Sequence, residues 1–113
     1  MSSEMLLFKI KQDRIKAFGS MYKAGKGHWI VDLLRASKCL YAVFVIQGKN
    51  IIEEIYKIKE WGESTECPGK KVFTGERAYD MEKKYAGKLI SKNLRKRGRI
   101  GGRLYTKEDE LLD

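Results

Sequence analysis

Residues 38–61, KCLYAVFVIQGKNIIEEIYKIKEW, contain the longest apolar run in the chain and a readable hairpin signal. Residues 40–46 are seven apolar side chains in a row, rich in β-branched and aromatic types and short enough for a strand buried on both faces. Gln47-Gly48-Lys49-Asn50 then supplies a turn. Beyond it, Ile52, Tyr56 and Ile58 fit one face of a period-two strand, and Glu53, Lys57 and Lys59 fit the other. A β-hairpin with one wet side on its second strand is therefore the expected centre of the fold.

At 113 residues the chain is about one domain, able to bury a single core but too short for a cleft between domains. A hydrophobic content of 42% with 35% charged residues suits a globular protein, and no run approaches the ~18 apolar residues of a membrane span. No membrane partner is expected. The opening Met-Ser-Ser-Glu lacks the pattern of a secretory signal, which points to a cytoplasmic location. Cys39 and Cys67 are far apart and sit in no paired spacing with histidines, so they read as buried or idle thiols and not as a disulfide or zinc framework. No cofactor and no metal is implied.

Working outward from the hairpin, residues 5–10 (MLLFKI) read as an opening strand, and residues 13–18 as a helical turn carrying Ile15 and Phe18. Residues 21–27 (MYKAGKG) read as a loop. Their glycines and lysines do not meet the G-x-x-x-x-G-K-[ST] phosphate-binding pattern. From 28 to 37, Trp29, Ile30, Leu33, Leu34 and Ala36 recur at helical spacing, which predicts an amphipathic helix packed on the hairpin. His28, the only histidine, stands at its start as a surface or capping residue. Residues 62–71 form a loop, 71–74 a third strand, and 80–85 a short helix ended by Gly87. Leu104-Tyr105 closes the domain as a last strand. The expected architecture is an α+β fold: a small curved, mainly antiparallel sheet or partial barrel with two short helices. Residues 1–105 would form the single domain and 106–113 an acidic tail that frays or folds back on the basic segment.

Net charge is +9, and its location says more than its size. Residues 83–107 hold ten basic side chains and no acidic one, leaving −1 for the rest of the chain. Such clustering is the electrostatic footprint of a polyanion partner, most often nucleic acid. Lys92, Arg95, Lys96, Arg97, Arg99 and Arg103 are the expected phosphate ligands, because guanidinium groups fork onto phosphate oxygens and lysine acts as a mobile point charge. Lys23, Lys26 and Trp61 form a second rank, the indole as a stacking platform at a strand end. Among carboxylates, Glu53 and Glu54 point to opposite faces of a strand, and the E-x-K triplet at Glu82 falls on a helix, so no catalytic constellation forms.

The pattern Gly27-x-Trp29, Ala36-x-Lys38, Tyr41-Ala42-Val43, Gly48, Ile51, Tyr56, Trp61, Phe73-x-Gly75, Ala78, Tyr85-x-Gly87-Lys88 and Arg103-Leu104-Tyr105 spans about residues 27–105. It resembles a small, mostly uncharacterised domain of bacterial and phage proteins. The order of elements is also similar to that of the pseudouridine-synthase and archaeosine-transglycosylase-like (PUA-like) barrels, many of which bind RNA or modified bases. That similarity implies a curved sheet with a ligand face beside the helix containing Trp29. The combined expectation is a nucleic-acid-binding protein, RNA favoured over DNA, without catalysis. Two rivals stand beside it: a small phage-like inhibitor or adaptor for an acidic protein surface, and a metal-dependent nuclease using Glu53 or Glu82.

Overall fold

The computed structural model describes residues 4–97 and 103–113, apart from the side chain of His28. Six strands, β1 (Glu4–Ile10), β2 (Gly27–Trp29), β3 (Tyr41–Ile46), β4 (Ile52–Glu63), β5 (Lys71–Arg77) and β6 (Arg103–Lys107), form one sheet in the order β2-β5-β4-β3-β1-β6. The sheet is open, with β2 and β6 as its edges. All neighbours run antiparallel except β1 and β3, which are parallel. A parallel pair needs a long crossover, and the residues between β1 and β3 provide it as α1 (Gln12–Phe18), α2 (Met21–Gly25), β2 and α3 (Leu33–Ala36). Two further helices, α4 (Tyr79–Tyr85) and α5 (Lys92–Lys96), lie between β5 and β6. The α+β class and the mainly antiparallel sheet are as expected, but among the described residues five short α-helices stand where two were expected.

β3 is the buried central strand that its apolar run predicts. Ala42 and Phe44 enter one core cluster with Leu6, Phe8, Met21, Trp29 and Phe73; Val43 and Val45 enter a second with Leu7, Ile55, Met81, Ile90, Leu94 and Leu111. Successive strand residues point to opposite faces, so the clusters lie on the two sides of the sheet, α1 and α2 covering one and α4 and α5 the other. The hairpin turn uses left-handed backbone at Gly48 (φ 92°) and Asn50 (φ 58°). Just after it the pairing slips from Phe44↔Glu54 to Val45↔Ile52, leaving Glu53 as an extra residue. That bulge turns Ile52 onto the same core as Ile55, whereas strict alternation had placed it with Tyr56 and Ile58.

Two segments depart further from the sequence reading. Residues 21–27 are not a loop: Ser20 Oγ accepts from Lys23 N at 3.1 Å and starts α2, whose Met21 and Ala24 are buried. The amphipathic helix over 28–37 does not form. Trp29 lies in β2, stacked on Phe8 at 4.5 Å, with its indole N–H donated to Gly25 O at 2.7 Å. Only α3 is helical, begun by Asp32, which accepts from Leu34 N; Ile30 and Leu34 face outward at 63% and 71% exposure. Strand pairing wins here because Gly27 lets β2 approach β5 so closely that a Cβ at that position would lie 2.2 Å from Val72 Cγ1. The boundary expected at 105/106 falls inside β6, where Thr106 pairs with Met5, and Leu111 is fully buried.

Candidate nucleic-acid interface

The basic segment is held by two apolar anchors. Ile90 and Leu94 are buried against the sheet, and Ser91 Oγ accepts from Leu94 N to start α5. With Leu94 turned inward, Lys92, Lys96 and Arg97 are exposed and Arg95 is half-buried. Leu89, next to them in the chain, is 44% exposed.

The end of α5 is fastened by Lys9 of β1, a residue the sequence reading did not single out. Its Nζ donates to Arg97 O at 2.6 Å, Leu94 O at 2.8 Å and Arg95 O at 3.3 Å. Burial, and then the neighbouring Arg97 charge, pushes the Lys9 ammonium below its ordinary range. The three carbonyls compensate it, and it in turn neutralises the negative end of the helix. Lys9, Arg95, Lys96 and Arg97 line an open cleft of about 560 Å³ with Gln47, Gly48 and Asn50 of the hairpin turn. The only hint in the sequence was a lysine inside the apolar run MLLFKI; its partners lie more than eighty residues away.

The acidic end of the chain folds back on this segment, one of the two arrangements expected for it. Asp113 Oδ1 accepts from Lys92 N at 3.0 Å, and Asp113 Oδ2 lies 3.6 Å from Arg95 Nη2. Ser91 N donates to Leu111 O at 2.9 Å, and Tyr85 OH donates to Glu108 Oε2 at 2.7 Å, which raises the tyrosine pKa.

The other expected ligands are dispersed. Arg99 lies outside the described residues. Arg103 is half-buried in β6 and its Nε donates to Ile30 O, so part of its guanidinium is already engaged. Lys23 and Lys26 line a separate cleft beside Phe18 and Phe73. That cleft lies at the far end of β4, on the order of 30 Å from the hairpin turn for a twelve-residue strand. Trp61 packs on Phe73 at 5.2 Å, half-buried, with its indole nitrogen enclosed and without a hydrogen-bond partner. A buried indole edge is a core contact, so the exposed platform expected of Trp61 is not formed; Trp29, placed by the resemblance beside a ligand face, is core as well.

Of the two carboxylates named for a nuclease, Glu82 has structural work. Glu82 Oε2 accepts from Ile55 N at 3.0 Å and from Arg77 Nε at 2.5 Å, tying α4 to β4 and β5. Glu54 accepts from Tyr56 OH at 2.7 Å, and Glu53 is the exposed bulge residue. Among the described residues no group of three His, Cys, Asp or Glu side chains is placed to hold a metal ion. Cys39 is buried, with its thiol pushed up to about 11 by burial, and Cys67 is half-buried. No helix among the described residues is long and apolar enough to cross a membrane. No protein-family model, curated protein or solved structure matches the chain, and the resemblances noted from its residues gain no support from them.

Proposed function

We propose that the protein binds the phosphate backbone of nucleic acid, RNA ahead of DNA, in the cleft between α5, Lys9 and the hairpin turn, without transforming it. The supporting observation is the placement of Arg95, Lys96 and Arg97 at a helix end whose carbonyls Lys9 already satisfies. With the carbonyls occupied, the cleft presents cations and side-chain amides to a ligand. Gln47 and Asn50 add donors and acceptors of the kind that read unpaired base edges, which favours single strands. Asp113 Oδ2, 3.6 Å from Arg95 Nη2, makes an oxyanion contact of the kind a phosphate would make there.

Binding that releases counterions gives a log affinity falling with log salt at about −0.7 per phosphate contact for single strands. Changing Arg95, Lys96 and Arg97 together to alanine should weaken binding to every sequence and flatten that slope by about two units. A triple variant that keeps both affinity and slope would exclude the cleft. A wild type with no affinity for RNA or DNA at low salt, but retained by an acidic protein, would replace this function with the adaptor role.

A further inference from the structure

The cleft at the other end of the sheet has features that the backbone-binding function does not use. Its volume is about 430 Å³, within the range of about 300 to 1,000 Å³ typical of small-ligand sites. Its apolar lining is Phe18, Val72 and Phe73. Phe18 is 42% exposed, while the other three phenylalanines, Phe8, Phe44 and Phe73, are fully buried. The exposed ring is also fixed in place. The Arg14 guanidinium lies over it at 5.5 Å and over Trp29 at 5.4 Å, with Nη2 donating to Gly27 O at 2.6 Å. A ring held this way loses little conformational freedom when something stacks on it.

The polar rim is asymmetric. Lys23 and Lys26 are both exposed, and neither has an ion-pair partner among the described residues. Of the two acids that line the same cleft, Glu63 is paired with Lys71 and Glu66 is engaged as well. Lys26 is placed by the close approach at Gly27, since Phe73 N donates to Lys26 O at 2.8 Å. Thr65 and Thr74 add hydroxyls at the same rim. An exposed aromatic ring beside two ammonium groups, one of them lying over the Tyr22 ring at 5.8 Å, and two hydroxyls matches a flat aromatic ring joined through a sugar to a phosphate.

We propose that this cleft is a separate binding site for a purine nucleoside monophosphate. The base stacks on the exposed Phe18 ring beside Val72, and the phosphate is held by the side chains of Lys23 and Lys26 in place of a glycine loop. The site is independent of α5, because it lies at the opposite end of β4.

The test is a titration of the ¹⁵N-labelled protein with AMP and GMP, with adenosine and ribose 5-phosphate as partial ligands. Saturable amide shifts confined to residues 18–27 and 63–74 are expected. Each partial ligand should bind at least about tenfold more weakly than AMP, since each loses either stacking or charge. Phe18→Ala should weaken AMP about tenfold or more. The pair Lys23→Ala and Lys26→Ala should bring AMP down to the affinity of adenosine while leaving adenosine unchanged. Should Phe18→Ala unfold the chain, Phe18→Leu, which keeps the volume but not the flat face, carries the same comparison. The Arg95, Lys96 and Arg97 triple variant should bind AMP as the wild type does. No saturation by either nucleotide at about 5 mM, ring-free ribose 5-phosphate matching AMP, Phe18 variants that bind normally, or loss of AMP binding in the triple variant would each overturn the proposal.

Discussion

Lys9→Met tests the frame of the interface directly. The substitution keeps the length and apolar stem of the side chain but removes the ammonium that donates to three carbonyls at 2.6, 2.8 and 3.3 Å. Hydrogen bonds from a charged donor contribute about 1.5 to 3 kcal/mol each. The longest of the three is weak, and the shortest is exposed to solvent, so roughly one and a half effective bonds are lost. Side-chain freedom and hydration returned to the unfolded chain offset part of that, leaving a destabilisation of about 1 to 3 kcal/mol. Urea unfolding followed by circular dichroism measures it. Because the donors of Lys9 are spent on carbonyls, the variant should also lower nucleic-acid affinity without flattening the salt dependence, whereas loss of Arg95, Lys96 and Arg97 flattens it. A stability change below about 0.5 kcal/mol would refute the capping argument. A salt slope reduced by nearly a full contact would show instead that Lys9 touches phosphate.

Gly75 sits opposite the second irregularity of β4, and a Cβ there would lie 2.4 Å from Lys57 O and 3.2 Å from Lys57 C. Those atoms belong to a paired backbone that cannot give way, so Gly75→Ala should cost about 2 to 4 kcal/mol in urea unfolding; a loss under about 0.5 kcal/mol would mean that β4 and β5 slide apart easily. The Glu4 carboxylate is held below the usual carboxylate range first by the hydrogen bond from Arg35, whose Nε and Nη2 reach its two oxygens at 2.9 and 2.7 Å. A depressed carboxylate stabilises the fold above its unfolded pKa and loses that contribution as pH falls through its folded pKa. The Tm gap between wild type and Glu4→Gln should therefore be present at about pH 6 and close below about pH 4.5; a gap independent of pH would assign the effect to packing alone.

Much of the fold was legible because its signals are local. The apolar run of β3, the glycine and asparagine of its turn, the short helix before Gly87 and the clustering of basic residues each depend on neighbours within a few positions. The pattern around Trp29 was equally local and misled, since its apolar spacing fits a helix while Gly27 fits a strand packed tightly on β5. Glu53 looked like an ordinary outward residue and proved to be the bulge that turns Ile52 inward, a difference of register that alternation alone cannot show. At the candidate interface the charged side chains were visible, but not which of them share a cleft. Sequence by itself determined the α+β class, the central hairpin and a basic segment of +10. Only the tertiary structure joined Lys9 to α5, sent Lys23 and Lys26 to another cleft and buried the edge of Trp61. Strand order and long-range side-chain-to-backbone bonds decide those placements, and neither leaves a periodic trace in the chain.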